Sequence, residues 1–278
     1  MKKIIISPTG GLANRMRSII SATVLSRKLN RECKVVWALN NELNCRYDDL
    51  FETTSVTPAV ENISSFSDLF FYADPRKKNM YMARLFQAGQ YALKLSDEIG
   101  LSQYIDNPSM LEKVVDNAKG DVLIRSGVVF YDFDPDTYRS VFVPKLHIIE
   151  AARSRVDYGD NRFIGLHIRR TDNIVSIRNS PLRLFIEAMD LEIADDSSVR
   201  FYLATDDQSV KRELVDKYGD RIVTSYGPIN RNTSDGIKEA LTEIITLSYC
   251  SKIYGSYWSS FSEAAAIISG KSFIQLKI

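Results

Sequence analysis

Cysteine is scarce in this chain, and what there is cannot make a framework. Cys33, Cys45 and Cys250 are odd in number, widely spaced and form no Cys-x-x-Cys pair. Disulfide scaffolds and zinc knuckles are disfavoured, and reduced thiols suit a reducing compartment, so a cytoplasmic protein is expected. Long apolar runs are also missing. The opening Met1-Lys2-Lys3-Ile4-Ile5-Ile6 stops at Ser7-Pro8-Thr9-Gly10-Gly11, short of the roughly 7–15 apolar residues of a signal peptide. No stretch approaches the roughly 18–20 residues that cross a bilayer, so no transmembrane segment is expected. An excess of charge is absent too. Lys+Arg 36 against Asp+Glu 35 gives a net charge of +1. Nothing in that balance draws the chain to nucleic acid or an acidic membrane, and no nucleic-acid partner is expected. Any anion site has to be local.

What is present is ordinary globular material. The chain has 278 residues, 45% of them hydrophobic and 26% charged, enough for two domains. Ile4–Ser7 reads as a buried strand ending at Pro8-Thr9-Gly10-Gly11. Leu12, Met16, Ile19, Ile20, Val24 and Leu29 recur at helical spacing, and Lys34–Ala38 is a second strand. This is a βαβ unit, which implies a parallel sheet. Residues 45–118 are dense in aromatics without a strand period, and they read as helices and loops. Asp121–Arg125 is a strand again. From Phe163 the rhythm is regular. Strands are expected at 163–168, 200–204, 221–223, 252–254 and 272–276, with helices near 182–193, 208–218, 236–249 and 259–268. Pro144 and the polar run Asp157–Asn161 mark the boundary. The fold class expected is α/β, two Rossmann-like doubly wound domains, 1–158 and 159–278, facing across a cleft.

Ligands of open α/β sheets bind beyond the carboxyl ends of the strands, and four polar clusters fall at such ends. Gly10-Gly11-Leu12-Ala13-Asn14-Arg15 joins the first strand to the first helix. It is neither a Walker loop nor Gly-x-Gly-x-x-Gly, so it is a tight turn or a site of another kind. His167-Ile168-Arg169-Arg170-Thr171-Asp172 runs from a buried strand into two arginines. Guanidinium groups there form a structural pair with Asp172 or clamp a diphosphate. Ala204-Thr205-Asp206-Asp207 precedes a helix, so an aspartate serves as N-cap or ligand. Gly255-Ser256-Tyr257-Trp258-Ser259-Ser260-Phe261-Ser262-Glu263 crowds hydroxyls into one turn. There Ser259 or Ser260 caps the next helix, with Glu263 completing a capping box, and the same groups suit phosphate.

His-x-Arg-Arg-Thr-Asp at 167–172, Tyr-Leu-Ala-Thr-Asp-Asp at 202–207 and Leu-Ser followed by Gly-Ser-x-x-Ser-Ser-Phe-Ser at 247–262 together resemble the fucosyltransferase superfamily. That group includes α1,6-fucosyltransferases and protein O-fucosyltransferases. The resemblance covers residues 164–266 closely, 1–40 in part and 45–160 hardly at all. It implies a GT-B fold and inverting, metal-independent transfer of fucose from GDP-fucose to an oligosaccharide or glycan acceptor, with no cofactor besides the donor substrate. By motif position, Gly10, Gly11, His167, Arg169, Arg170, Asp172, Asp206, Asp207, Glu243, Ser256, Ser259, Ser260 and Phe261 are the donor-binding candidates. Arg169 would hold the β-phosphate, and Glu243 would accept N1–H and N2–H of guanine. Asn14 would lie near the fucose or acceptor. No metal ligands are implied.

One departure concerns the acceptor's base. The α1,6 enzymes acting on N-glycan cores carry a lysine and a glutamate after this motif, where Asn173 and Ile177 stand here. Gly127–Asp134 follows an expected strand, so Asp132 or Asp134 is the candidate base, with exposed loop carboxylates as the plain alternative. Strand alternation puts Arg169 and Arg170 on opposite faces, Arg169 to the diphosphate and Arg170 to a supporting pair with Asp172.

Overall fold

The computed structural model describes residues 1–73, 81–97, 100–156, 159–160, 162–171, 173–228 and 230–278. The chain divides into two compact units. Met1–Val143 with Asn230–Ile237 forms the first, and Pro144–Ile229 with Lys238–Ile278 the second. They part at Pro144, one of the two boundary marks in the sequence. Asp157, Tyr158 and Asn161, within the other mark, lie outside the described residues.

The first unit runs β1 (Lys3–Pro8), α1 (Leu12–Lys28), β2 (Glu32–Leu39), β3 (Ala59–Ser64), α2 (Ser65–Phe71), α3 (Tyr81–Gln90), β4 (Leu93–Ser96), α4 (Pro108–Asn117), β5 (Val122–Ser126) and α5 (Pro135–Val141). Its five strands are all parallel in the order β3-β2-β1-β5-β4. Ile4, Ile5 and Ile6 are buried on both faces of the sheet, which explains an apolar run without alternation. The expectation of helices and loops over 45–118 is corrected here, because β3 and β4 both lie within it. They are the two edge strands. Ala-Val-Glu-Asn-Ile-Ser buries only Ile63, and Leu-Lys-Leu-Ser has four residues. Edge strands covered on one side carry little apolar signal.

The second unit comprises α6 (Leu146–Arg153), β6 (Phe163–Ile168), α7 (Ile174–Asn179), α8 (Leu182–Asp195), β7 (Arg200–Thr205), α9 (Gln208–Tyr218), β8 (Ile222–Thr224), α10 (Ser234–Tyr249), β9 (Lys252–Ser256), α11 (Ser260–Ser269) and β10 (Ser272–Leu276), the first turn of α10 grouping with the first unit. Its strands are again parallel, in the order β10-β9-β6-β7-β8. On one face Ile164, Leu166, Phe201 and Leu203 pack with Phe185 and Met189 of α8 and Val210 and Leu214 of α9. Gly165 serves the other face. A Cβ there would stand 2.9 Å from Leu247 Cδ2, so its absence lets α10 lie close on β6.

Candidate functional site

The chain leaves β6 in one direction toward β7 and β8, and returns on the other side through β9 and β10. The β6/β9 junction is thus the topological switch point, where open sheets of this kind bind ligands. Beyond Ile168 the pleat sends successive backbone N–H groups to opposite neighbours. The Arg169 N–H donates to Ser256 Oγ at 3.0 Å, on the β9 side. The Arg170 N–H donates to Asp206 Oδ1 at 2.7 Å, on the β7 side. Ser256 Oγ also donates to the His167 carbonyl at 3.3 Å. One hydroxyl and one carboxylate therefore fix the backbone that carries both arginines.

Asp206 does more than receive that N–H. Its Oδ2 accepts from Thr171 Oγ1 at 2.7 Å and pairs with Arg169 Nε at 3.1 Å. The neighbouring Asp207 has a different task. Its Oδ1 accepts from the Ser209 and Val210 N–H groups as N-cap of α9, and the Ser209 hydrogen bond holds its carboxyl below the usual range. The two arginines are correspondingly unequal. Arg169 has its carboxylate partner in Asp206, whereas Arg170 Nη2 is buried without a hydrogen-bond partner among the described residues. Burial pulls the Arg170 guanidinium below its ordinary value. Asp172, the pair partner expected for Arg170, lies outside the described residues.

His167 is buried and stacks on Phe261, with ring centroids 4.6 Å apart. Its Nδ1 lies 3.4 Å from Ser259 Oγ. Burial first, then the Arg169 charge, push it down to about 3, so it is neutral. The capping expectation is corrected for Ser259. It is the N-cap of α11 by position, but its hydroxyl makes no cap bond and faces His167 instead. The helix begins at Ser260.

Glu243 follows from the run of α10. Leu247 packs at Gly165 near the middle of β6, and four helical residues span about 6 Å along the axis. Glu243 therefore sits one turn nearer the carboxyl edge, where Asp206 and Lys211 act on it electrostatically. It is half-buried, and desolvation together with the charge of Glu239 pushes its carboxyl up to about 8. Around it stands a group that motif reading missed. Arg155 Nη2 pairs with Glu239 Oε2 at 2.7 Å, and Arg155 Nη1 donates to Tyr202 Oη at 3.2 Å. Lys211, almost fully buried on α9, donates to the Ser225 carbonyl. Arg155, Glu239 and Lys211 belong to no short motif, and Tyr202, which opens the motif at 202–207, gives no sign of these partners. The available signal is helical spacing, since Glu239 and Glu243 are four residues apart on one face of α10.

In the first unit the glycine loop differs from a phosphate loop. Gly10 has φ +76°, and its N–H donates to Glu42 Oε2 at 2.9 Å. A carboxylate thus occupies the place an anion would take at Gly10, which counts against Gly10 as a diphosphate ligand. Arg15 is fully buried and structural, donating to the Gly10 carbonyl, the Ala38 carbonyl and Asn40 Oδ1. Burial lowers it to about 10, against the opposing pull of Glu42 and Asp68. Asn14 packs against Gly10, where a Cβ would stand 2.7 Å from Asn14 Nδ2. Asp132 is exposed. Asp134 is corrected as a base. It caps α5 by accepting the Thr137 N–H at 2.7 Å, and the Thr137 hydrogen bonds lower its carboxyl, opposite to what proton abstraction needs. Arg125, near the end of β5 and in register with Ser7 of β1, makes a two-point pair with Asp68, at 2.7 and 3.1 Å.

No protein-family model and no curated protein matches the sequence. Solved structures do match. NodZ alpha-1,6-fucosyltransferase, known from Bradyrhizobium and soaked with GDP-fucose, aligns with a TM-score of 0.65 and 15% identity, over 96% of this chain and 92% of that one. The fold is that of the fucosyltransferases. POFUT1 in complex with GDP aligns at a TM-score of 0.55 and 12% identity, over 100% and 99%. A mutant of Arabidopsis thaliana FUT1 in complex with GDP gives 0.61 and 14%, over 99% and 70%. At these identities the likeness is one of fold. Among the described residues no helix is long and apolar enough to cross a membrane.

Proposed function

We propose that the protein is an inverting, metal-independent GT-B glycosyltransferase that moves fucose from GDP-fucose to a glycan hydroxyl. The observation that carries this reading is the pair of arginines at the β6/β9 switch point, braced by Asp206 and Ser256, with a buried Arg170 nitrogen that lacks a partner among the described residues. An anionic ligand supplies what that nitrogen lacks, and guanidinium forks match diphosphate oxygens. Arg169, Arg170 and the start of α11 take the charge that develops on the leaving GDP, the task a divalent cation performs elsewhere. Glu243 accepts from the guanine N–H groups. His167, Phe261 and Ser259 pack the floor beneath the phosphates, and Asp206 orients the arginines. Asn14 and Asp132 of the first unit are the acceptor-side candidates.

Two carry-overs from the family are set aside. The Gly10 N–H is occupied by Glu42, and Asp207 caps a helix. The test is hydrolysis of GDP-fucose by the whole protein without acceptor, followed as released fucose in excess EDTA. Slow release at an unchanged rate supports the reading. Loss in EDTA with recovery in manganese refutes metal independence, and no release or binding of GDP-fucose refutes the donor.

A further inference from the structure

The loop after β9 carries a residue that none of the motifs uses. Trp258 is 66% exposed, and its φ of 57° lies in the left-handed region. The other non-glycine residue with positive φ among those described is Asn30, a residue type at ease there after a helix. A tryptophan is not, and a bulky side chain in this conformation is a true outlier. It is held on several sides. Asn173 Nδ2 donates to the Trp258 carbonyl at 3.1 Å while Asn173 Oδ1 caps α7. Tyr257 stands edge-on to the indole at 5.9 Å, and its N–H donates to Ser180 Oγ at 2.7 Å. Two residues before Trp258, Ser256 fixes Arg169; one residue after it, Ser259 faces His167. The strained, water-exposed indole is thus anchored at both ends to the switch-point cluster. Strain of this kind persists where the surroundings over-determine it, and it gathers at ligand clamps.

We infer that Trp258 is the residue that contacts the sugar of the donor, its indole face stacking on the C–H face of the hexose bonded to the diphosphate. This rests on the donor site proposed above. Ser260 stands two positions after Trp258, at most about 7 Å between Cα atoms. A group bonded to a phosphate at the start of α11 is therefore within reach of the indole. Exposed Ile174 and Val175 on α7 extend the apolar surface beside Asn173. A pyranose presents one apolar face and a polar rim, which suits a flat indole edged by hydroxyl and amide groups.

The chain has two tryptophans, and Trp37 is fully buried, so quenching by acrylamide reports Trp258. GDP-fucose is expected to shield the fluorescence from acrylamide strongly, and GDP much less. Trp258→Ala is expected to weaken GDP-fucose about tenfold while GDP binding stays within about twofold, with Trp258→Phe between them. Equal shielding by GDP and GDP-fucose in the wild-type protein overturns the assignment without any variant. Equal weakening of both ligands in Trp258→Ala overturns it too, since that marks a merely structural role. If GDP itself does not bind the wild-type protein, the donor site fails and this assignment falls with it.

Discussion

Replacing Asp206 by asparagine keeps the shape and removes the charge. The amide oxygen can still accept the Arg170 N–H, but an NH2 group then faces Arg169 Nε, where Oδ2 stood at 3.1 Å. The Thr171 hydroxyl can rotate to accept from that NH2, so the damage concentrates on Arg169. Breaking a buried pair by removing one partner costs about 3–5 kcal/mol. Arg169 keeps 19% of its side chain in water against 10% for Asp206, which favours the lower end, about 3 kcal/mol. That corresponds to a fall of roughly 6–12 °C in Tm. The control stands one residue away. Asp207→Asn exchanges one good N-cap for another and is expected to change stability by only a few tenths of a kcal/mol. Differential scanning calorimetry of the two variants reads the contrast directly. GDP is expected to raise the melting temperature of Asp206→Asn at least as much as that of the wild type, because the diphosphate returns the missing negative charge. Equal melting of the two variants would refute the role of Asp206 as the brace of the arginines.

Arg169→Lys keeps the charge and loses the fork, and is expected to cut turnover on GDP-fucose by about 10²–10³ in a protein that circular dichroism shows to be folded; retention of most activity removes Arg169 from the transition state. Glu243, raised to about 8 by desolvation, binds more protons folded than unfolded across the interval above its ordinary value. Its contribution to stability is therefore present at low pH, lost as pH rises, and gone above about 8. Accepting the guanine N–H groups requires the ionised form, so GDP affinity is expected to rise with pH, approaching about tenfold per unit well below pH ~8 and levelling off above it. Calorimetric titration checks this; a flat profile in the wild type, or the same slope in Glu243→Gln, refutes it. His167 runs the other way. Held down to about 3 by burial, it makes the protein lose stability as pH falls from its ordinary value toward that point. An acid melt in which His167→Asn lacks this loss confirms the sign.

Much of the second unit is legible in the sequence, because parallel strands buried on both faces are continuous apolar runs and each ends in a polar cluster. Phe163–Ile168 and Arg200–Ala204 are of this kind, as is Ile4–Ser7 in the first unit. Strands β3 and β4 escape notice because an edge strand needs little apolar surface. The division of labour between neighbours is also hidden. Asp206 and Asp207 are identical side chains in sequence, yet one braces two arginines and the other caps a helix. The difference lies in which element faces each carboxylate. Ser259 likewise reads as a cap and instead meets His167. The Arg155–Glu239–Tyr202 group is hidden because its members come from distant parts of the chain, the segment after α6, α10 and β7. Glu42 was invisible for the same reason, reaching Gly10 from beyond β2.

The most direct test of a guanine-nucleotide donor site is calorimetric titration of GDP, UDP, CDP and ADP into the whole protein, repeated on Arg170→Ala. GDP is expected to bind at least about tenfold tighter than the other three, and Arg170→Ala is expected to lose most of that affinity while remaining folded. Tighter binding of UDP or ADP, or GDP binding that Arg170→Ala leaves intact, would contradict a GDP-sugar site at the β6/β9 switch point.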